Sequence, residues 1–202
     1  MFFSLKDSFL KTINNVLFTN LPVVAESKAG SFYKIFIFID GSNFYHSLEK
    51  SFRTAKIDLK KFSYFFSSYG EIKKIIYYTA ALNISENPKE YGKQQKFLSI
   101  IKRVPNLEVF LGRLEKRKNT KVEKGVDVKL AVDLVTNAFR DNYDLAIIVS
   151  NDSDFVPAIQ ESQKFGKQVW NINFPKTQSY HLNQICDKTI TIDSINKFLV
   201  KK

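Results

Sequence analysis

Cysteine and histidine are scarce in this 202-residue sequence, which contains one Cys and two His. Because Cys186 has no second cysteine within the sequence, no intramolecular disulfide can form. Cys186, His46 and His181 also do not make up the ligand pattern of a cysteine- or histidine-based zinc cluster. The cysteine usage fits a reducing compartment, and we therefore expect a cytoplasmic location.

Long apolar runs are also missing from residues 1–30, where charged residues such as Lys6 and Lys11 interrupt the apolar positions. The segment therefore has neither the h-region of a signal peptide nor the apolar run of a membrane span. Apolar residues from Leu10 to Leu21 recur every three or four positions, which is the spacing of one helix face. We expect residues 1–30 to form an amphipathic helical extension that packs on the domain or on a partner, and residues 31–202 to form the domain. Attachment to a membrane surface is disfavoured because the polar side is not strongly basic.

Acidic residues are outnumbered, with 20 Asp and Glu against 31 Lys and Arg, and the formal net charge is +11. Such an excess of positive charge favours a polyanionic partner, either nucleic acid or an anionic membrane surface. A merely solvated basic surface would give the same composition, so the charge by itself leaves the partner open.

Strand-like and helix-like segments alternate after Gly30. Almost uninterrupted apolar runs predict strands buried on both faces at 34–40 and 144–150, and further strands are predicted at 71–80, 107–111 and 167–173. Helical periodicity is clearest at 126–139, and other helices are predicted at 43–52, 59–68, 88–104 and 155–165. The order predicts an α/β fold, a three-layer α/β/α sandwich with a mainly parallel central sheet of about five strands.

Three aspartates follow the two strands with the strongest core pattern. Asp40 is the last residue of the first predicted strand, and Asp152 and Asp154 follow the 144–150 strand. Ligands bind beyond the carboxyl ends of parallel strands, so adjacent strands would bring these carboxylates to one edge. Asp127 begins the 126–139 helix in phase with its buried face, which directs its carboxylate along the same rim. Taken singly, each acid could instead cap a helix or belong to a turn.

Clustered carboxylates repel one another unless a cation lies between them. Oxygen donors without supporting His or Cys favour Mg²⁺ or Mn²⁺, and such a site can activate water and neutralise a phosphodiester. Asp40, Asp127, Asp152 and Asp154 are accordingly our candidate metal-binding and catalytic residues.

Basic residues crowd the connection that leads into Asp127. The candidate phosphate-binding residues there are Lys116, Arg117, Lys118, Lys121 and Lys124. A basic segment beside an acidic metal pocket suits a nucleic-acid backbone that is held by its phosphates while one of them is cut. A solvated hairpin would have a similar composition.

Three segments resemble the signature segments of NYN domains, particularly the bacterial LabA-like group. They read F-I-D-G-S-N-F-Y at 38–45, K-G-V-D-V-K-L-A-V-D at 124–133 and I-V-S-N-D-S-D-F-V-P at 148–157, in the order of the family. The resemblance covers residues 34–175 or so. It implies a PIN-like fold and RNA hydrolysis with Mg²⁺ or Mn²⁺ held by acids, leaving 5′-phosphate and 3′-hydroxyl products.

Residue by residue, the resemblance matches Asp40, Asp127, Asp152 and Asp154 to the metal-binding acids of the family. Asn43 matches an asparagine that orients a ligand or the scissile phosphate, and Asp133 matches a further acid, although its helical phase places it on the flank. The family more often has Gly where this chain has Asn151. Because Asn tolerates a left-handed backbone, we expect little loss from that change.

Three functions remain as hypotheses. The first is a metal-dependent ribonuclease, endonucleolytic and of the two-metal type. The second is a catalytically silent RNA-binding or regulatory module. The third, a phosphohydrolase with an aspartyl nucleophile, is disfavoured because D-G-S-N lacks a second acid two residues after Asp40. The sequence leaves the RNA, the number of metals and the oligomeric state open, a homodimer included.

Overall fold

The computed structural model describes residues 32–117 and 120–200, and of residues 116, 117 and 120–122 it describes the backbone alone. The predicted extension at 1–30 and the candidate Lys118 lie outside the described residues. Among the described residues, no helix is both long enough and apolar enough to cross a membrane.

A seven-stranded sheet forms the centre of the described chain, in the order β4-β3-β2-β1-β5-β6-β7. Its strands are β1 (Tyr33–Asp40), β2 (Gly70–Ala80), β3 (Leu107–Arg117), β4 (Thr120–Lys124), β5 (Leu145–Val149), β6 (Gln168–Asn173) and β7 (Lys188–Thr191). All neighbouring strands pair in parallel except β3 and β4, which are antiparallel. The mainly parallel sheet is confirmed, with seven strands where about five were predicted.

Helices cover both faces of the sheet. They are α1 (Gly41–Phe52), α2 (Leu59–Tyr64, continued by a 3₁₀ turn at Phe65–Ser68), α3 (Pro88–Ile101), α4 (Val126–Phe139), α5 (Val156–Lys164) and α6 (Tyr180–Ile185). Successive side chains of a strand point to opposite faces, and β1 accordingly supplies two cores. Its Ile37 packs in the core under α1 to α3, and its Phe38 packs in the core under α4 to α6. The three-layer α/β/α sandwich is therefore confirmed.

The strands that carry the predicted acids are neighbours at the centre of the sheet. β1 pairs with β5 in a parallel register that places Ile39 opposite Val149. Both strands are almost wholly buried, because helices cover them on both sides. Their carboxyl ends consequently open at the same edge, as the apolar runs of the two strands predicted.

The basic connection before Asp127 is a β-hairpin, which the sequence reading missed. We predicted that the third strand ends at 111, whereas β3 continues to Arg117 and returns as β4. The hairpin reaches α4 at a close approach: a Cβ on Gly112 would lie 2.5 Å from Val126 Cγ2 and 2.8 Å from the Lys124 carbonyl oxygen. Glycine is therefore required where β3 passes the start of α4.

Candidate functional site

Asp40 lies at the end of β1 and is 1% exposed. Its Oδ1 accepts a hydrogen bond from the Asn43 backbone N–H at 3.1 Å, which caps α1. Its Oδ2 accepts from the Asn43 side-chain amide at 2.6 Å and from the Ser150 hydroxyl at 3.0 Å. Burial raises the pKa of Asp40 above its ordinary value, the hydrogen bonds from Asn43 and Ser150 lower it, and the charge of Asp152 raises it further.

Ser150 joins the ends of the two central strands. Its hydroxyl donates to Asp40 and accepts the backbone N–H of Asp152 at 3.1 Å. One buried hydroxyl thus fixes the Asp40 carboxylate relative to the segment that carries Asp152. We did not predict Ser150 as a site residue; the only signal for it was its place between a buried strand and an acid.

Asp152 and Asp154 lie at a 3₁₀ turn, Ser153–Phe155, that follows β5. Asp152 is half-buried, and its Oδ1 accepts the backbone N–H of Asp154 at 3.0 Å. Asp154 is exposed. The sequence left open that either acid caps the following helix, and Asp152 does cap the 3₁₀ turn. The cap uses Oδ1 of Asp152, so Oδ2 takes no part in that hydrogen bond.

Asp127 lies in the first turn of α4. The helix is preceded by Gly125 at the N-cap position, whose φ of 78° is in the left-handed region that glycine adopts without strain. The residue is exposed, yet the surrounding protein partly desolvates its carboxyl group. That desolvation raises the pKa of Asp127, and the charges of Asp40, Asp152 and Asp154 raise it further. The structure therefore places Asp127 within electrostatic reach of the other three predicted acids.

Glu123 is a fifth acid beside this group. It is half-buried on β4, opposite Leu114 of β3. Burial raises the pKa of Glu123, the charges of Asp40 and Asp127 raise it further, and a hydrogen bond with the Ser42 side chain lowers it. We missed Glu123 because β4 itself was not predicted.

Asp133 has hydrogen-bond and ion-pair partners of its own. Its carboxylate accepts a hydrogen bond from the Tyr78 hydroxyl at 2.9 Å and pairs with Lys129 at 2.5 Å. Both partners lie on the α4 side of the sheet. Burial raises the pKa of Tyr78, and the charge of Asp133 raises it further. The flank position expected from helical phase agrees with these contacts.

The contacts of two asparagines bear on the roles expected for them. The Asn43 amide, expected to orient a ligand or phosphate, donates to Asp40. The backbone of Asn151 does not have a positive φ, so this position does not require a residue that tolerates the left-handed region. Instead its Oδ1 is buried and has no hydrogen-bond partner among the described residues.

The four candidate cations that the structure describes lie on the hairpin. Its register places Lys116 opposite Lys121 and Arg117 opposite Thr120, toward the tip, and Lys124 at the end that adjoins α4. Alternation along β4 directs the side chains of Glu123 and Lys124 to opposite faces. One strand therefore carries both an acid of the group and a candidate phosphate contact.

In the part of the chain that the structure describes, no three or more His, Cys, Asp or Glu side chains are arranged closely enough to hold a metal ion. After burial, the charges of neighbouring carboxylates raise the pKa values of Asp40, Glu123 and Asp127, but the described acids do not form a complete coordination sphere. Their chemistry nevertheless fits a hard cation, since all donors are oxygens. Mg²⁺ in particular keeps several waters and binds through one or two carboxylates.

Comparisons with known proteins add a family and a fold. A family model described as the NYN domain matches residues 34–193. An uncharacterized protein of Methanocaldococcus jannaschii is 39% identical over 67 residues, which are 33% of this chain and 28% of that protein. The match thus spans less than a third of the curated relative. A solved structure of a protein of unknown function from Vibrio parahaemolyticus aligns with a TM-score of 0.69 and 26% identity, covering 87% of this chain and 100% of that one.

Proposed function

This chain belongs to the NYN domain family, and from that membership and its acidic site we propose that it is a ribonuclease that hydrolyses RNA phosphodiester bonds with Mg²⁺ or Mn²⁺. Membership indicates a nuclease-type function related to RNA. We also propose that the mechanism is endonucleolytic and of the two-metal type. Further parts of the proposal are the LabA-like subgroup, the cytoplasmic location, and the division into an extension at 1–30 and a nuclease domain at 31–202.

The placement of acids at the carboxyl ends of two neighbouring central strands is the observation that carries the proposal. Asp40 has almost no solvent exposure, and Asp152 raises its pKa. Desolvation raises the pKa of Asp127, and the charges of three other aspartates raise it further. Grouping like charges in this way is costly unless a cation neutralises them. Hydrogen bonds alone, such as those from Asn43, serve a single carboxylate and leave the repulsion between carboxylates in place.

In the proposed mechanism Asp40 and Asp152 would hold the metal ion, and Asp127, Asp154 and Glu123 would add negative charge nearby. A divalent cation bound there supplies an activated water and neutralises charge on the phosphate and leaving oxygen. Asn43 and Ser150 hold the Asp40 carboxylate in one orientation, as second partners of metal ligands do.

The hairpin cations hold the substrate in this proposal. The backbone phosphates would be contacted by the candidate cations Lys116, Arg117, Lys118, Lys121 and Lys124. Contacts to phosphates position the strand without reading its sequence. The net charge of +11 supports the same assignment, because it attracts a polyanion over a long range.

A catalytically silent RNA-binding module is the second candidate. The observation that favours it is that the described acids are not gathered into a metal-holding geometry. Under this alternative the hairpin would bind RNA and the strand would remain intact.

The two candidates are separated by incubating the purified full chain with 5′-labelled single-stranded RNA in Mn²⁺, Mg²⁺ or EDTA. Asp40→Asn is the test variant, and Asp193→Asn, at an exposed acid near the end of the described chain, is the matched control. We expect cleavage by the parent and the control in metal, and none in EDTA or with Asp40→Asn. Cleavage that survives both EDTA and Asp40→Asn overturns the mechanism, and salt-sensitive binding without cleavage in any metal establishes the silent module.

A further inference from the structure

A groove of about 500 Å³ lies beside the acidic site. The segment after β5 forms one wall, and helix α6 forms the other. The lining residues are Ser153, Asp154, Val156, Pro157, His181, Gln184 and Ile185. Its volume is within the range of pockets that take small organic ligands, about 300–1,000 Å³.

The lining combines an apolar surface with polar groups. Val156, Pro157 and Ile185 present apolar side chains that suit the face of a flat ring. His181 and Gln184 are exposed and offer an imidazole and an amide, which can contact the polar edge of such a ring or stack on it. This composition is that of a nucleobase site rather than of a phosphate site, since the groove has no Lys or Arg in its lining.

Asp154 belongs to both the groove and the acidic group. It lines the groove, and its backbone N–H donates to Asp152, the N-cap of the same 3₁₀ turn, at 3.0 Å. A strand whose phosphate lies at the acids would therefore have an adjacent nucleotide within reach of the groove. Continuity with the candidate site distinguishes this groove from an isolated surface depression.

The walls of the groove are fixed in the fold. Leu182 is 0% exposed and anchors α6 in the core. The Gln163 side chain of α5 donates to the carbonyl of Ile185 at 2.9 Å, which ties the two walls together. On α6 the Gln184 amide donates to the Tyr180 hydroxyl at 2.7 Å. A site with fixed walls loses little conformational freedom on binding.

We propose that this groove binds the base of one unpaired nucleotide next to the scissile phosphate, an inference that rests on the proposed ribonuclease function. A base enters the groove only after leaving its helical stack. The substrate class is therefore single-stranded RNA or an unpaired loop, rather than a continuous duplex.

The test measures RNA binding rather than cleavage. The full chain carrying Asp40→Asn is titrated into a fluorescent single-stranded RNA, and an abasic residue is then placed at each position in turn. We expect one position at which loss of the base weakens binding about tenfold, the size of one stacked base. A duplex of the same sequence should bind more weakly than the single strand.

The groove is then altered by His181→Ala together with Gln184→Ala, both at exposed positions whose truncation spares the core. In this variant the abasic effect should shrink to less than about twofold. Asn142→Ala is the matched control, because Asn142 also donates its side-chain amide within the protein, to Asn137 at 2.8 Å, and precedes the opposite end of β5. The control should keep the full abasic effect.

Two outcomes separate a failure of the base-binding groove from a failure of the proposed ribonuclease function. RNA binding with no position-specific abasic effect, or with the same effect in the groove variant, overturns the base-binding groove and leaves the proposed function standing. Failure of the full chain to bind any RNA overturns both.

Discussion

The side-chain amide of Asn43 donates a hydrogen bond of 2.6 Å to Oδ2 of Asp40, the same oxygen that accepts the Ser150 hydroxyl at 3.0 Å. Two elements, α1 and the end of β5, thus hold one buried carboxylate. Asn43 consequently acts on the acidic site through Asp40. An experiment can therefore distinguish this positioning role from a direct contact between Asn43 and RNA.

Asn43→Ala should lower the apparent Mn²⁺ affinity about 10- to 100-fold, the usual cost of losing a partner of a metal ligand. It should also move the acidic limb of the pH–rate profile to higher pH, because the lost bond favours the charged form of Asp40. Ser150→Ala should shift the limb in the same direction. Rates measured against pH and Mn²⁺ check this; weaker RNA binding with an unchanged acidic limb would show instead that Asn43 contacts the substrate.

Glu123→Gln should reduce metal-dependent cleavage, since Glu123 is coupled to Asp40 and Asp127. Glu115→Gln is the matched control, because it removes the same charge from an exposed position on the other strand of the hairpin. Cleavage rates at saturating RNA and at several Mn²⁺ concentrations compare the two. Equal rates for both variants would remove Glu123 from the site.

Asp127→Asn should stabilise the metal-free protein at neutral pH. The pKa of Asp127 is raised in the folded state, so the folded protein holds a proton that the unfolded chain releases near the ordinary value of 3.8. The resulting penalty is absent below that value and develops as pH rises through the raised pKa. Because the residue is exposed, we expect less than about 1 kcal/mol.

Thermal melting in EDTA, between about pH 3.5 and about pH 7, measures this penalty. The melting temperature of Asp127→Asn minus that of the parent should increase with pH. Added Mn²⁺ should then raise the melting temperature of the parent more than that of the variant. A difference that stays constant or falls with pH would contradict the charge grouping at Asp127.

Asp133→Ala should destabilise the fold by about 1–3 kcal/mol, because it leaves the buried Tyr78 hydroxyl without its acceptor. It should leave Mn²⁺-dependent cleavage unchanged at temperatures where the protein is folded. Urea unfolding and cleavage assays on the same preparation check both halves. Loss of cleavage as complete as in Asp40→Asn would place Asp133 in the site after all.

The central part of the fold was predictable because its signal is local and continuous. The apolar runs of β1 and β5 predict strands buried on both faces, and the periodicity of α4 predicts its bounds, Val126–Phe139. Adjacent central strands then bring Asp40 and Asp152 to one edge. The position of these acids follows from topology and requires no knowledge of side-chain contacts.

The hairpin was not predictable in the same way. Between Arg113 and Lys124 most residues are charged, and strand pairing there depends on backbone hydrogen bonds and register rather than on an apolar alternation. Glu123 was not predicted as a site residue because its strand, β4, was not predicted. The partner of Asn43 was open for a different reason, since it depends on which group the side-chain amide selects in three dimensions.

The central claim is that the acids at the ends of β1 and β5 form a metal site. Anomalous scattering from crystals of the full chain soaked in millimolar Mn²⁺ tests it most directly. We predict an ordered Mn²⁺ bound by carboxylate oxygens of Asp40 and Asp152, and its loss in Asp40→Asn crystals treated identically. A wild-type map without Mn²⁺ between these two carboxylates would contradict the account.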